Sequence, residues 1–108
     1  MKRGDIVTVA ASGDYGKPRP AVVIQANWID DTDSVLVCQI TSSQRDPLIY
    51  RFRIEPGAET GLRGLSYAMA DKILAIRRTK CGRVIGRIPD ASMMEFDKIP
   101  GIVIGLTG

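Results

Sequence analysis

Histidine is absent from this chain of 108 residues, and cysteine occurs only twice, as Cys38 and Cys81. Without histidine the chain cannot form a Ser-His or Cys-His nucleophilic pair, and it lacks the mixed ligands of a common zinc site. Two cysteines are too few for a disulfide framework, and the apolar run around Cys38 predicts a buried, reduced thiol. These absences exclude the histidine-dependent hydrolases and leave no predicted metal site.

Long apolar stretches are absent as well. No run approaches the length that spans a membrane, and the opening "MKRGDIVTVA" has neither the apolar core nor the cleavage site of a signal peptide. The acidic "DDTD" at 30–33 lacks the glycine and the distal glutamate of a calcium-binding loop, so we interpret it as a solvated turn. The sequence thus predicts a cytoplasmic protein with no membrane partner, metal or other cofactor.

The overall composition is that of an ordinary globular protein, with 44% hydrophobic and 25% charged residues. It predicts a single domain over residues 1–108. The net charge of +3 is small, but the segment "RRTKCGRVIGR" at 77–87 carries five cations and no acid. Such a run suits the phosphate backbone of a nucleic acid. It equally suits a solvated sheet edge that carries charge against aggregation, and both interpretations stay open.

Short β-rich segments separated by glycine- and proline-rich loops fill the chain up to residue 88. The predicted strands are 5–10, 21–26, 35–40, 48–54, "LSYAMA", "KILAIRR" and "RVIGRI". Asp90 is then predicted to cap a helix that Pro100 kinks or divides. We therefore expect a mainly β fold with a small α part, in which an antiparallel partial barrel is closed by a C-terminal helix and Trp28 lies in the core.

The segment "GDYGKPRPAVVIQ" places Arg19 between two prolines at the entrance of a predicted strand, where a stiff backbone would fix the cation. If the strands at 21–26 and 35–40 are antiparallel neighbours, Thr41 leaves the sheet at the same rim. RNA supplies its own nucleophile, the 2′-hydroxyl, so an enzyme without a metal needs mainly to stabilise the charge that builds on the phosphate. An arginine can bind two phosphate oxygens, and a hydroxyl can donate to the same group. Arg19 and Thr41 are thus predicted as a catalytic pair.

These residues also have ordinary structural interpretations, which stay open. Arg19 could pair with an acid such as Asp14, and Thr41 could do no more than cap a turn. Tyr15 could stack on a base or be a plain surface aromatic.

Several segments, in order along nearly the whole chain, resemble the MazF/PemK toxins of bacterial toxin–antitoxin pairs. They are "RGDIV" at 3–7, "RPAVVI" at 19–24, "VLVCQITSS" at 35–43, "GLRGLS" at 61–66, "DKILAI" at 71–76 and "IGRI" at 85–88. Each segment is weak evidence alone, and together they are specific. The resemblance implies the SH3-like barrel that these toxins share with CcdB and Kid, and it implies a homodimer.

The resemblance further implies metal-independent, sequence-specific cleavage of single-stranded RNA, which leaves a 2′,3′-cyclic phosphate and a 5′-hydroxyl and blocks translation. The family's catalytic arginine and threonine correspond to Arg19 and Thr41, and the pair that helps to hold the bases corresponds to Asp71 and Lys72. Further RNA contacts are expected from the flanking loops, at Tyr15, Gly16, Lys17, Ser42, Ser43 and Gln44. A cognate acidic antitoxin is the expected protein partner.

The sequence departs from the family in two places. Some relatives carry a histidine in the first loop, which this chain lacks, and an arginine two residues before the acid, where this chain has Met69. The general acid and base are therefore unassigned.

Two other functions remain open. One is a CcdB-like toxin that binds a protein target such as DNA gyrase through its terminal helix, although Pro100 would disrupt such a helix. The other is a non-catalytic nucleic-acid-binding barrel, for which 6% of aromatic residues is low.

A dimer is also expected from the residues themselves. The strands "AVVIQA" and "VLVCQI" are apolar on both faces, which is more apolar surface than one sheet face and one helix readily bury. Met69, Met93 and Met94 are adaptable side chains suited to an interface between two copies.

Overall fold

The computed structural model describes residues 1–10, 17–43 and 50–107 of the chain. Its strands are β1 (Asp5–Val9), β2 (Arg19–Val23), β3 (Ser34–Thr41), β4 (Arg51–Ile54), β5 (Ser66–Arg77) and β6 (Cys81–Arg87), and its helix is α1 (Asp90–Val103). The six strands form one antiparallel sheet in the order β4-β5-β3-β2-β1-β6. The mainly β fold with a C-terminal helix is therefore confirmed.

The strand β5 unites two segments, "LSYAMA" and "KILAIRR", that periodicity predicts as separate strands. Its pairing with β3 changes register, because Cys38 faces Ile73 whereas Ile40 faces Ala68. Residues 69–72 of β5 therefore lie opposite Gln39 alone. Such a bulge bends the strand, and the first half of β5 pairs with β4 on one side and with β3 on the other.

Buried apolar side chains cover both faces of the sheet. The helix-covered core consists of Ile6, Val22, Cys38, Ile40, Ile54 and Ala68 packed with Ile88, Met93 and Phe96. The opposite core consists of Val7, Val9, Ala21, Val23, Val35, Val37 and Ile76. The apolar surface on both faces of β2 and β3 is thus mostly buried within one chain, because neighbouring residues of a strand point to opposite sides.

The predicted interface methionines Met69 and Met93 are buried within the chain, so they do not support a dimer. Met69 and Met93 are only 8% and 7% exposed and belong to the interior, whereas Met94 is 73% exposed. Trp28 is 83% exposed, so its predicted place in the core is wrong. It lies in the turn between β2 and β3, where its side chain is left in solvent.

The helix α1 begins at Asp90 rather than after it, so Asp90 is not the N-cap; that residue is Pro89. The Asp90 carboxylate instead accepts a hydrogen bond of 2.8 Å from Nη2 of Arg87. Pro100 does not divide the helix, which runs on to Val103. The turn after the proline is closed by the Ile104 amide, which donates to the Pro100 carbonyl at 3.0 Å. In the part of the chain that the structure describes, no helix is long and apolar enough to cross a membrane.

Ion pairs from the motif "RGDIV" anchor the start of the chain to α1 and β6. Arg3 donates to the Asp97 carboxylate from Nη1 at 3.1 Å and from Nη2 at 2.6 Å. Asp5 accepts from Arg87 at 3.4 Å and from the Lys2 amide at 2.7 Å. Phe52 and Phe96 add an edge-to-face ring contact of 5.5 Å between β4 and α1. The charged residues of this motif are therefore structural.

The motifs "GLRGLS" and "IGRI" meet where the loop after β4 crosses β6. The Arg87 amide donates to the Glu59 carbonyl at 2.9 Å. A Cβ at Gly86 would overlap the Thr60 carbonyl, and a Cβ at Gly61 would overlap the Ile85 carbonyl. Both positions require glycine because the two backbones touch there.

Candidate active site at the ends of β2 and β3

Arg19 and Thr41 end two neighbouring strands of the sheet. The β2–β3 ladder pairs Ala21 with Gln39 and runs antiparallel. Continuing this register by two residues sets Arg19, the first residue of β2, opposite Thr41, the last residue of β3. The sequence-based expectation that the two strands are antiparallel neighbours is therefore confirmed.

The Thr41 side chain is held by a local turn. Its Oγ1 accepts a hydrogen bond of 3.1 Å from the backbone amide of Ser43, two residues further on. Threonine and serine favour this turn because their short hydroxyl reaches the amide of the second residue along the chain. The hydroxyl hydrogen of Thr41 is not used by this contact and is left to donate to another group.

The side chain of Arg19 is exposed. Arg19 lies opposite Val9 of β1, and Val9 lies opposite Cys81 of β6, so the three residues form one row across the sheet. Its strand neighbours Ala21 and Val23 point into the opposite core. Strand alternation therefore gives Arg19 and Thr41 the same face of the sheet, away from α1. Lys17, Ser42 and Ser43 are exposed beside this rim.

Asp71 and Lys72 occupy the bulge of β5 and are both exposed. The Asp71 carboxylate contributes to the raised pKa of the Cys38 thiol. The structure brings Arg19, Thr41, Lys17, Ser42 and Ser43 together, and it places Asp71 and Lys72 on β5, which neighbours β3 on the side away from β2.

Three predicted site residues, Tyr15, Gly16 and Gln44, lie outside the described residues. Their predicted contacts with RNA therefore remain predictions.

Cys38 is fully buried, as the sequence indicates. The pKa of its thiol is raised to about 12, mainly by burial and also by the Asp71 carboxylate, while the Arg3 guanidinium acts to lower it. Burial also raises the pKa of Cys81, which Arg78 opposes. Neither environment generates the thiolate that a nucleophilic cysteine needs.

The basic segment 77–87 divides into structural and exposed cations. Arg78 donates from Nε to the Thr32 carbonyl at 2.6 Å, and Arg87 is bound to Asp5 and Asp90. Arg77, Lys80 and Arg83 are exposed. The aspartates of "DDTD" are exposed as well, as expected for a solvated turn. Among the described residues, no group of three or more Cys, Asp or Glu side chains is arranged to hold a metal ion.

One residue of the site escaped sequence reasoning. Arg51, the first residue of β4, donates from Nη1 to the Ser43 carbonyl at 3.3 Å. The alternation in "LIYRFRI" indicates only that Arg51 points away from the helix-covered core. Its partner could not be inferred, because β5 separates β4 from β3 in the sheet.

The comparisons with known proteins agree with this fold. The family model described as PemK-like, MazF-like toxin of type II toxin–antitoxin system matches residues 2–99. A relative from Mycolicibacterium smegmatis, named probable endoribonuclease MazF, is 40% identical, and the match covers 100% of this chain and 100% of the relative.

Solved structures match over nearly the full length. An endoribonuclease in complex with its cognate antitoxin from a mycobacterial species has a TM-score of 0.83 at 20% identity, with 100% of this chain and 98% of that chain covered. A MazE–MazF complex from Deinococcus radiodurans has a TM-score of 0.74 at 20% identity, with 99% and 97% covered. The chain belongs to the PemK-like, MazF-like family of toxins of type II toxin–antitoxin systems.

Proposed function

We propose that this toxin is an endoribonuclease that cleaves single-stranded RNA, mRNA in particular, at specific sequences, without a metal ion, and thereby blocks translation. The observation that carries the proposal is the meeting of Arg19 and Thr41 at the shared end of β2 and β3. The relative that is 40% identical bears the name of an endoribonuclease, which agrees with this activity.

In the proposed reaction the 2′-oxygen of the RNA attacks the adjacent phosphorus and the bond to the 5′-oxygen breaks. The products are a 2′,3′-cyclic phosphate and a 5′-hydroxyl. Negative charge builds on the non-bridging oxygens in the transition state, where the Arg19 guanidinium can bind two of them. Thr41 donates its free hydroxyl hydrogen to the same group.

The 2′-hydroxyl proton must be accepted by a base, and the leaving 5′-oxygen must gain a proton. A guanidinium is a poor base in proteins, so we assign Arg19 the electrostatic role only. The groups that move these two protons are unassigned.

Around this pair, the exposed residues Lys17, Ser42 and Ser43 are proposed to bind the RNA on either side of the cleaved bond, together with Tyr15, Gly16 and Gln44. Asp71 and Lys72, which are exposed in the bulge of β5, are proposed to help hold the bases. We propose a homodimer as the active form and a cytoplasmic site of action. An acidic antitoxin is proposed as the inhibitor, in line with the solved complexes of structural neighbours with their antitoxins.

The test is incubation of the purified toxin with single-stranded RNA in excess EDTA, followed by mapping of the ends. Cleavage that leaves 2′,3′-cyclic phosphate and 5′-hydroxyl ends is expected. Ends with a 3′-hydroxyl, or activity that disappears with the chelator, would contradict the proposal.

The unbroken helix keeps a second function under consideration, a CcdB-like toxin that binds a protein target such as DNA gyrase. The end of α1 and the residues just after it expose Ile102, Ile104 and Leu106, by 43%, 60% and 76%, and Pro100 does not interrupt the helix. Removing the Arg19 side chain separates the two functions: it would leave such a binder toxic and would abolish toxicity that depends on RNA cleavage.

A further inference from the structure

We propose that Arg51 is a positioning residue for Thr41 and acts through the backbone of Ser43. The inference rests on the proposed function, because Thr41 is the group whose position matters. It adds a residue from β4 to a site otherwise built from β2 and β3.

Two hydrogen bonds form the connection. Arg51 donates from Nη1 to the Ser43 carbonyl at 3.3 Å, and the Ser43 amide donates to Oγ1 of Thr41 at 3.1 Å. Both bonds belong to Ser43, so the guanidinium fixes the orientation of the residue whose amide holds the hydroxyl. Arg51 is itself held in the sheet, where it pairs with Met69 of β5.

The chemistry explains why this position needs support. Thr41 is the last residue of β3, and Ser42 and Ser43 are exposed, so little packing holds the turn. A threonine hydroxyl that accepts from the Ser43 amide can donate its hydrogen only in the remaining directions. Without Arg51 the turn opens more often, and the hydroxyl spends less time aimed at the phosphate, which lowers the rate of the chemical step.

The alternative is that Arg51 binds the RNA directly. Its side chain is partly exposed, and within the described ranges no carboxylate lies at ion-pair distance from it. A direct phosphate contact would strengthen RNA binding independently of Thr41. The two roles therefore differ in whether the effect of Arg51 needs the Thr41 hydroxyl.

A double-mutant cycle of Arg51→Met and Thr41→Val measures this difference. With a positioning role, Arg51→Met lowers kcat up to about tenfold, the scale of one hydrogen bond, with little change in KM. It then costs nothing more in the Thr41→Val background, and Arg51→Lys restores part of the rate. Arg53→Met is the matched control, because Arg53 lies two residues away on β4 and is paired with Glu55 at 2.9 Å.

A second readout does not depend on activity. Hydrogen exchange of the Ser43 amide should become faster in Arg51→Met and stay unchanged in Arg53→Met. If the losses of the two single variants add in the double variant, and Arg51→Met acts mainly by raising KM, then Arg51 binds RNA directly and the inference is wrong. If the wild-type protein cuts no RNA, the proposed function fails. The link through Ser43 is tested separately by hydrogen exchange, and it is wrong if exchange of the Ser43 amide is the same in Arg51→Met as in the wild type.

Discussion

Arg3 donates to the Asp97 carboxylate from both of its terminal nitrogens, at 3.1 and 2.6 Å. This ion pair connects the segment before β1 to the middle of α1. The same guanidinium donates from Nε to the Ile24 carbonyl at 3.0 Å. This connection holds α1 over the helix-covered core. It is part of the "RGDIV" motif, whose sequence alone does not reveal whether it serves folding or catalysis.

Arg3→Met is therefore expected to lower the free energy of unfolding by about 1 kcal/mol, a modest value because the pair is partly exposed to solvent. Urea unfolding measures the change. Arg53→Met removes the more exposed pair with Glu55 and should leave stability nearly unchanged. Equal effects of the two variants would show that the Arg3–Asp97 pair contributes no more than an ordinary surface ion pair.

Arg19→Ala and Thr41→Val should each slow RNA cleavage by about 10²–10³, the usual loss when one preorganised donor to a transition-state oxyanion is removed. The thermal midpoint should hardly move, because Arg19 is exposed and both residues lie at strand ends. Single-turnover cleavage and thermal melting of the same samples check both statements. A variant that unfolds instead has lost a structural residue, and the catalytic assignment is then wrong for it.

Gly86→Ala should destabilise the protein by about 1–3 kcal/mol, the range for an overpacked site. The new methyl group would overlap the Thr60 carbonyl, and a backbone cannot move aside as a flexible side chain can. Gly64→Ala is the control, since a Cβ there meets no atom within 4 Å. Thermal unfolding of both variants gives the comparison, and equal midpoints would contradict the close crossing of the loop and β6.

Alkaline pH should weaken the fold through Cys38. Its pKa rises from 9.0 to about 12 on folding, so the contribution of the thiol is intact below pH 9 and is lost as the pH rises towards 12. In that window the unfolded chain releases the proton and the folded chain keeps it. The free energy of unfolding therefore falls by up to about 1.4 kcal/mol per pH unit from this group.

Comparison with Cys38→Ala isolates the effect, because lysines and tyrosines titrate in the same range. The alkaline slope of unfolding free energy should be shallower in Cys38→Ala than in the wild type. Identical slopes would mean that Cys38 is not kept neutral by burial.

The architecture could largely be predicted from the sequence because β-branched residues alternate within short segments bounded by glycine and proline. The pairing of the ends of β2 and β3 followed from their adjacency along the chain. The bulge in β5 could not be predicted, since "MADK" interrupts the apolar pattern as a loop would. The predictions for Pro100 and Trp28 were wrong for a different reason. Proline disfavours the interior of a helix and tryptophan is mostly buried on average, and the local structure overrides both preferences here.

The candidate site was only partly predictable for a related reason. Arg19 and Thr41 belong to consecutive strands, and a sequence pattern locates such neighbours. Arg51 reaches Ser43 across a strand that comes later in the chain, and the placement of Asp71 and Lys72 depends on the bulge. Strand order and register therefore decide these relationships.

The bulge in β5 makes this part of the chain intolerant of changes in length. Ala68 and Ile73 both point into or against the helix-covered core although they are an odd number of positions apart. Deleting or inserting a single residue at 69–72 would reverse the alternation on one side of the bulge, because a shift of one residue exchanges the two faces of a strand. Ala68 or Ile73 would then turn outward and a neighbour would turn inward. A protein that keeps this fold is therefore expected to keep the number of residues between Ala68 and Ile73.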